Sequence, residues 1–331
     1  MPDRPLLRYL DGDAVERAMP PLVERLALAE ATMVGLAGEA QLPPKLAVHP
    51  RVPESFAHAM PAFLPGLAAD GSDDLLGIKW VVGFPPNRTR GLAAISAIVL
   101  LDDATTGLPI GILDGAPITA QRTAAVSGLA MARFAPPRTR PAHVAIVGAG
   151  VQGHAHVPVV AHLLPGASIA VHDRHADRAD ALAAVATATD GIERAIVAGS
   201  PRDAVVGADV VITAVSFGPV RQVMVADWLA PDALVVAVDY ATMVAADVAR
   251  DASLFIVDER GQFLANRAAG AFDGYPDPVH TLGEAIIAGT PRPPSGRVLV
   301  THLGVGLADV IFGHAILRRA TEAGLGLILP T

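Results

Sequence analysis

Gly148, Gly150 and Gly153 stand in G-x-G-x-x-G spacing directly after the apolar run 144–147. A strand turning sharply into a helix beneath a pyrophosphate needs that arrangement. One glycine permits the turn, the second lets phosphate approach bare backbone, and the third lets helix and strand pack closely. The helix opening at Val151 and Gln152 would offer unpaired N–H groups and the positive end of its dipole to the anion. About twenty residues on, the extended run 168–172 ends in Asp173, where a carboxylate can accept both ribose hydroxyls. An ordinary glycine turn is the competing reading, and the flanking strands with their terminal acid weigh against it. A carboxylate repels a 2′-phosphate, so Asp173 points to NAD. Arg174 and Arg178 act in the opposite sense and keep NADP open as the alternative.

The elements that would position such a turn follow from composition and pattern. The chain has 331 residues, enough for two domains, and is 52% hydrophobic with only 4% aromatics. Its core must therefore be aliphatic, the usual filling of a parallel sheet covered on both faces. From 143 onward the pattern alternates strand and helix, with strands expected at 143–147, 168–172, 194–198, 209–214, 233–238, 253–257 and 296–301. The first part reads differently. Residues 14–38 are helical with a break at Pro20-Pro21. Extended runs follow at 45–49, 75–82, 92–101 and 109–113, separated by turn residues, which suggests a meandering sheet. A helix is expected from near Ile118 to Phe134, ended by Ala135-Pro136-Pro137, and a long final helix after Gly304.

Composition also excludes several classes. There are 25 Lys and Arg against 33 Asp and Glu, a formal charge of −8, with no block of like charge. A nucleic-acid or anionic-membrane surface is not expected. The absence of cysteine excludes disulfides, thiolate metal sites and a cysteine nucleophile. Residues 1–13 carry no secretion-signal pattern and no stretch reads as a bilayer span, so a cytoplasmic protein is expected. His172, Asp173, His175 and Asp177 superficially resemble metal ligands, but their place on a strand-to-helix turn argues against a metal, and none is expected.

Several separated motifs then occur in order: Gly77-Ile78-Lys79-Trp80, Asn87 to Gly91, the segment 101–109 (LDDATTGLP), the segment 118–125 (ITAQRTAA), Gly148-Ala149-Gly150-Val151-Gln152 and the segment 303–309 (LGVGLAD). Together they resemble the ornithine cyclodeaminase/μ-crystallin family, from about Leu42 to the last helix. The resemblance implies an α/β fold: a Rossmann NAD(P)-binding domain, placed at 123–304, plus an α+β substrate-binding and dimerisation domain from 1–122 and 305–331. It implies a homodimer and a chemistry of hydride exchange at an α-carbon, shared by cyclodeaminases, alanine dehydrogenases and imine or ketimine reductases.

Residue by residue, the resemblance makes Lys79 the active-site lysine and Arg122 the arginine reaching substrate carboxylate and cofactor phosphate. Lys45 lies where many members carry a carboxylate-binding arginine. Gln152 and Asp173 match cofactor contacts, and Thr123, Ala214, Val215 and Ser216 join the same cofactor set. Two positions depart from the pattern. Asp239 and Ala241 stand where a glycine and a catalytic aspartate are found in cyclodeaminases, and His302 where a serine is frequent. Asp239 is either a displaced catalytic acid or a polar strand end beside the cofactor. His302 is either a contact to substrate or cofactor amide, or a satisfied buried histidine.

The resemblance also brings together three cations from separate segments, Lys45, Lys79 and Arg122. Such a cluster suits a small carboxylated imine, and a second cation near Lys79 would lower its pKa into the useful range. Arg122, expected at a helix start, would call for a nearby anion. The favoured function is reduction by NAD(P)H of a small imino acid such as iminosuccinate, the imine of pyruvate with ammonia (giving alanine), or a cyclic ketimine, with Lys79 handling the proton. No carboxylate is evident in the sequence to receive a δ-ammonium, and Ala241 disfavours ring closure. The alternatives are an ornithine cyclodeaminase-type lyase using NAD catalytically and a μ-crystallin-like NAD(P)-binding protein without turnover.

Overall fold

A computed structural model describes residues 6–216, 218 and 220–330. The chain divides into two compact units, one made of residues up to Arg122 with those from Val305 on, the other of Thr123–Gly304.

The first unit contains strand β1 (Leu7–Leu10), helices α1 (Gly12–Ala18) and α2 (Leu22–Leu36), and strands β2 (Leu46–Val48), β3 (Phe56–Leu64), β4 (Leu75–Gly83), β5 (Ile95–Asp102) and β6 (Pro109–Asp114). Asp11 caps α1 by accepting the Ala14 N–H, and Pro20-Pro21 separates α1 from α2 as expected. β2 through β6 form an antiparallel meander, with β1 added parallel to β6. The chain later returns as the helix α10 (Gly306–Glu322) and a last strand, β15 (Leu327–Leu329), which pairs antiparallel with β1. One face of the sheet is covered by α10, which packs on β3, β4 and β5 and against α1 and α2. Val99, Leu101, Leu113 and Leu10 on that face, and Leu307, Val310, Phe312 and Ile316 on the helix, are fully buried. Each such burial contributes about 1.5–3 kcal/mol.

β1, β3 and β15 are absent from the sequence reading. Pro61 lies within β3, and a proline ordinarily argues against a paired strand. The short β2 pairs only with residues 57–59, so β3 needs no N–H on that edge at Pro61.

Helix α3 (Gly115–Phe134) crosses the division between the units. It begins three residues before the expected start because Asp114 accepts the Ala116 N–H. Arg122 therefore lies in the middle of the helix, and the helix-start argument for an anion beside it does not hold.

The second unit continues with β7 (His143–Val147), α4 (Val151–Leu163), β8 (Ala167–His172), α5 (Ala176–Thr187), β9 (Ile192–Val197), α6 (Pro201–Val205), β10 (Val210–Thr213) and β11 (Leu234–Ala237). It ends with α7 (Ala246–Arg250), β12 (Leu254–Val257), α8 (Arg260–Ala268), β13 (His280–Thr281), α9 (Leu282–Ile287) and β14 (Val298–Thr301). All eight strands are parallel, in the order β13-β12-β14-β11-β10-β7-β8-β9. The winding reverses between β7 and β10, the switch point where doubly wound sheets open a crevice at their carboxyl ends. This is a Rossmann-type α/β sheet. β14 inserts between β11 and β12, which carries its end beside that of β11. The capping box that starts α9, Thr281 with Glu284, is a legible sequence signal that the pattern reading passed over.

Candidate active site

In the second unit the three glycines have different duties. Gly148 sits at φ +109, and a Cβ there would meet the Ala214 carbonyl oxygen at 2.4 Å. A Cβ on Gly153 would meet the Gly148 carbonyl oxygen at 2.3 Å. These two are required by the close passage of the chain after β7 and β10. Gly150 has ordinary extended backbone, and a Cβ there would meet nothing within 4 Å. It borders open space at the start of α4, whose N-cap makes no side-chain bond. Bare backbone beside open space at an uncapped helix N-terminus fits a dinucleotide pyrophosphate.

Asp173 directly follows β8 and braces this turn. Its Oδ2 accepts the Ala149 N–H at 2.8 Å and its Oδ1 accepts the His175 N–H at 2.9 Å. Each oxygen keeps a second lone pair of the kind a ribose hydroxyl needs. Arg174 is exposed, with Nε donating to His175 Nε2 at 3.2 Å. Val151 is exposed, Gln152 half-buried, Thr123 buried and Ser216 exposed. Among the described residues no group of three or more His, Asp or Glu side chains is placed to hold a metal ion.

Asp239 lies buried just past β11. It accepts the Val215 N–H at 3.3 Å and the Met243 N–H at 3.4 Å, so it ties the loop after β10 to the loop after β11. Burial pushes its carboxyl up to about 6, against the opposing pull of those donors. The next two residues, Tyr240 and Ala241, both adopt left-handed backbone, at φ 53 and 56. The turn is strained, at a cost of order 1–3 kcal/mol per residue, and the surrounding bonds hold it.

His302 follows β14 and is buried. Its Nε2 lies 2.8 Å from Ser127 Oγ, which lies 2.7 Å from His156 Nε2, and His156 Nδ1 lies 2.6 Å from the Gln152 carbonyl oxygen. The carbonyl can only accept, so His156 carries its proton on Nδ1. Burial pulls the His156 pKa down to about 4 and keeps the ring neutral. Ser127 therefore donates to His156, and His302 Nε2–H donates to Ser127. The backbone around His302 is equally constrained: Asp258 Oδ2 accepts both the Leu303 and Gly304 N–H groups at 2.8 Å.

The first unit holds the cations. Lys79 is on the covered face of β4, paired with Met60 and Val99 on the neighbouring strands, and only 1% exposed. Its Nζ donates to Asp309 Oδ1 at 2.8 Å and to Thr119 Oγ1 at 2.6 Å. Thr119 passes its own proton to the Gly115 carbonyl. Arg122, one helical turn after Thr119, donates from Nε to the same Asp309 Oδ1 at 3.3 Å. Burial pulls the Lys79 pKa down to about 8; Asp309 opposes this, while Arg122 and Lys45 push further down. The half-buried Lys45, just before β2, is thus an electrostatic neighbour of Lys79.

Asp309 is the residue that sequence reasoning missed. It is 0% exposed in the first turn of α10, where the helix dipole favours a negative charge. It is the anion beside Arg122, and it supplies the buried carboxylate that the sequence seemed to lack. One available signal was an acidic residue among the apolar positions Leu307, Val310 and Ile311.

Comparison with known proteins places the chain in a family. The sequence profile described as the ornithine cyclodeaminase/mu-crystallin family matches residues 15–286. The nodulation efficiency protein NfeD of Rhizobium meliloti is 31% identical over 330 residues, 98% of each chain. The ketimine reductase mu-crystallin of Mus musculus is 28% identical over 261 residues, 77% of this chain and 78% of that one. In fold, the chain is similar to the Thermococcus litoralis delta(1)-pyrroline-2-carboxylate reductase solved with NADH and L-proline. The TM-score is 0.82 at 22% identity, over 97% of this chain and 100% of that one. A Rossmann-type sheet with a glycine turn, a meander unit holding a buried lysine, and a profile match over most of the length lead to one assignment: the chain belongs to the ornithine cyclodeaminase/mu-crystallin family.

Proposed function

We propose that this protein is an NAD(P)H-dependent reductase of a small carboxylated imine, with NAD as the preferred cofactor. The observation that carries the reading is Lys79, a fully buried lysine whose pKa lies near 8 between one carboxylate and two cations. Binding a dinucleotide does not require such a group, whereas delivering a proton to an imine nitrogen near neutral pH does. A bound reduced nicotinamide would supply the hydride. Gly150 and the start of α4 would take the pyrophosphate and Asp173 the ribose, with Ala214, Val215 and Ser216 flanking the cofactor. Lys79 would protonate the nitrogen, and Arg122 with Lys45 would hold the carboxylate, a positioning effect. A guanidinium carries five N–H donors, of which Nε–H faces Asp309, so a bidentate face remains for a carboxylate. Asp239 would shape the cofactor crevice by fastening its two loops. The names of the mouse and archaeal relatives, a ketimine reductase and a pyrroline-carboxylate reductase, support this reading.

The test is NADH oxidation followed at about 340 nm with 2-oxo acids plus ammonia and with preformed cyclic imines. Reduction needs protonated Lys79, so the rate is expected to be level below about pH 8 and to fall tenfold per unit above it. A rate that rises through this range removes Lys79 as the acid. A lyase reading is favoured by one observation, the buried Asp309 carboxylate, and disfavoured by Ala241. Ornithine with catalytic NAD distinguishes the two: proline and ammonia formed without net NADH change would overturn the reductase reading.

The reading includes a cytoplasmic homodimer. On the face of the first unit's sheet opposite α10, Trp80 (41% exposed) and Ile98 (48%) lie directly opposite each other and form an apolar surface. We assign a second copy of this chain to it, as the family resemblance implies. Ile98→Asp is expected to halve the mass in solution to 34.0 kDa by light scattering with little loss of folding. An unchanged mass would place the dimer contact elsewhere.

A further inference from the structure

We infer that Asp309, through its second oxygen, is the acceptor for the substrate's nitrogen, and is thus a catalytic residue of the proposed imine reduction. The inference rests on the reductase reading and extends it by one group.

The carboxylate is used on one side only. Lys79 Nζ and Arg122 Nε both donate to Oδ1, at 2.8 and 3.3 Å. Oδ2 is buried and has no hydrogen-bond partner among the described residues. Leaving a buried charged oxygen without a donor is costly, by about 1–3 kcal/mol or more. A cationic N–H donor would satisfy it. Lys79 and Arg122 both direct their bonds to Oδ1, which leaves Oδ2 for a donor from a ligand. A protonated imine or amine suits the position, because the two oxygens share one carbon and Lys79 stands against the first. A nitrogen bonded to Oδ2 is therefore a neighbour of the ammonium that must transfer its proton. An oxo or hydroxy acid, with no N–H, leaves the oxygen unbonded, so the arrangement selects for nitrogen over oxygen at the reacting carbon.

The step balances. A bound reduced nicotinamide would supply the hydride, by which the imine carbon would gain two electrons and one hydrogen while the C=N π pair becomes the nitrogen lone pair. That pair takes a proton from Lys79 Nζ, and Lys79 regains one from water. Asp309 keeps its charge throughout: it holds the nitrogen, offsets the iminium charge and favours the protonated form of Lys79. The charged groups around Lys79 are Asp309 on α10, Arg122 on α3 and Lys45 before β2.

The experiment compares ligands that differ only in the nitrogen. With NAD⁺ present, binding of L-proline against cyclopentanecarboxylate, and of L-alanine against propanoate, is measured by calorimetry for the native protein and for Asp309→Asn. The native protein is expected to favour at least one amino acid about tenfold or more, and Asp309→Asn to lose that preference while binding NADH as before. Its pH–rate profile should also break at lower pH, because the anion that favours protonated Lys79 is gone. If Asp309→Asn does not fold, Asp309→Glu replaces it, with a reduced preference expected because the oxygens are displaced by one methylene. A native protein that binds a carbocyclic acid as tightly as its amino acid, or a variant that keeps the full preference, overturns the inference and leaves imine reduction standing. A native protein that neither binds these amino acids nor turns over any imine overturns both.

Discussion

Lys79→Met is expected to slow imine reduction at neutral pH by about 10³-fold while NADH binding stays unchanged, within the range of about 10²–10⁴ that a positioned general acid contributes. Methionine keeps the length of the lysine stem on the covered face of β4, between Met60 and Val99, so the packing against α10 is retained. Asp309 keeps its bond to Arg122, so the buried carboxylate is not left without a cation. What disappears is the one group in the cluster able to give up a proton near pH 8, since an arginine does not deprotonate at such pH. Lys79→Arg should therefore fail to restore activity even though it restores charge. Rates come from NADH oxidation and binding from NADH fluorescence. A Lys79→Met rate within tenfold of the native one would take this residue out of the mechanism.

Gly150→Val and Gly148→Ala are expected to fail in opposite ways. A Cβ at 150 meets nothing beyond its chain neighbours within 4 Å and asks for no unusual backbone, so the melting temperature should hold. It would occupy the space where pyrophosphate meets the backbone, and NADH affinity should fall about 100-fold, some 2.8 kcal/mol. A methyl at 148 lands 2.4 Å from the Ala214 carbonyl in left-handed backbone. That change should lower the melting temperature by several degrees, and lost binding would follow from the disordered turn. Gly150→Val with native NADH affinity would mean that the cofactor does not cross this turn.

The contrast between these two glycines shows how far the sequence could be read. All three glycines were legible as a motif, but the spacing does not say which are demanded by the chain itself and which by a ligand. That distinction needs the position of the 214–215 backbone, which arrives from 66 residues further along the chain as β10 pairs with β7. His302 is similar. Its type stands out in the sequence, yet its hydrogen-bond role depends on Ser127 and His156, brought to it by the insertion of β14 between β11 and β12.

What the chain's local pattern determined was the strand-turn-helix at 143–153, the acid closing the next strand, the parallel half and the meandering half. These depend on neighbours within one or two elements, where periodicity and turn chemistry act directly. What the tertiary structure alone decided was the pairing of Lys79 with Asp309, 230 residues apart, and the single-sided use of that carboxylate. Neither residue's type or spacing names its partner. Their meeting is set by α10 lying across the covered face of β4, where water is excluded and a charge must find its partner.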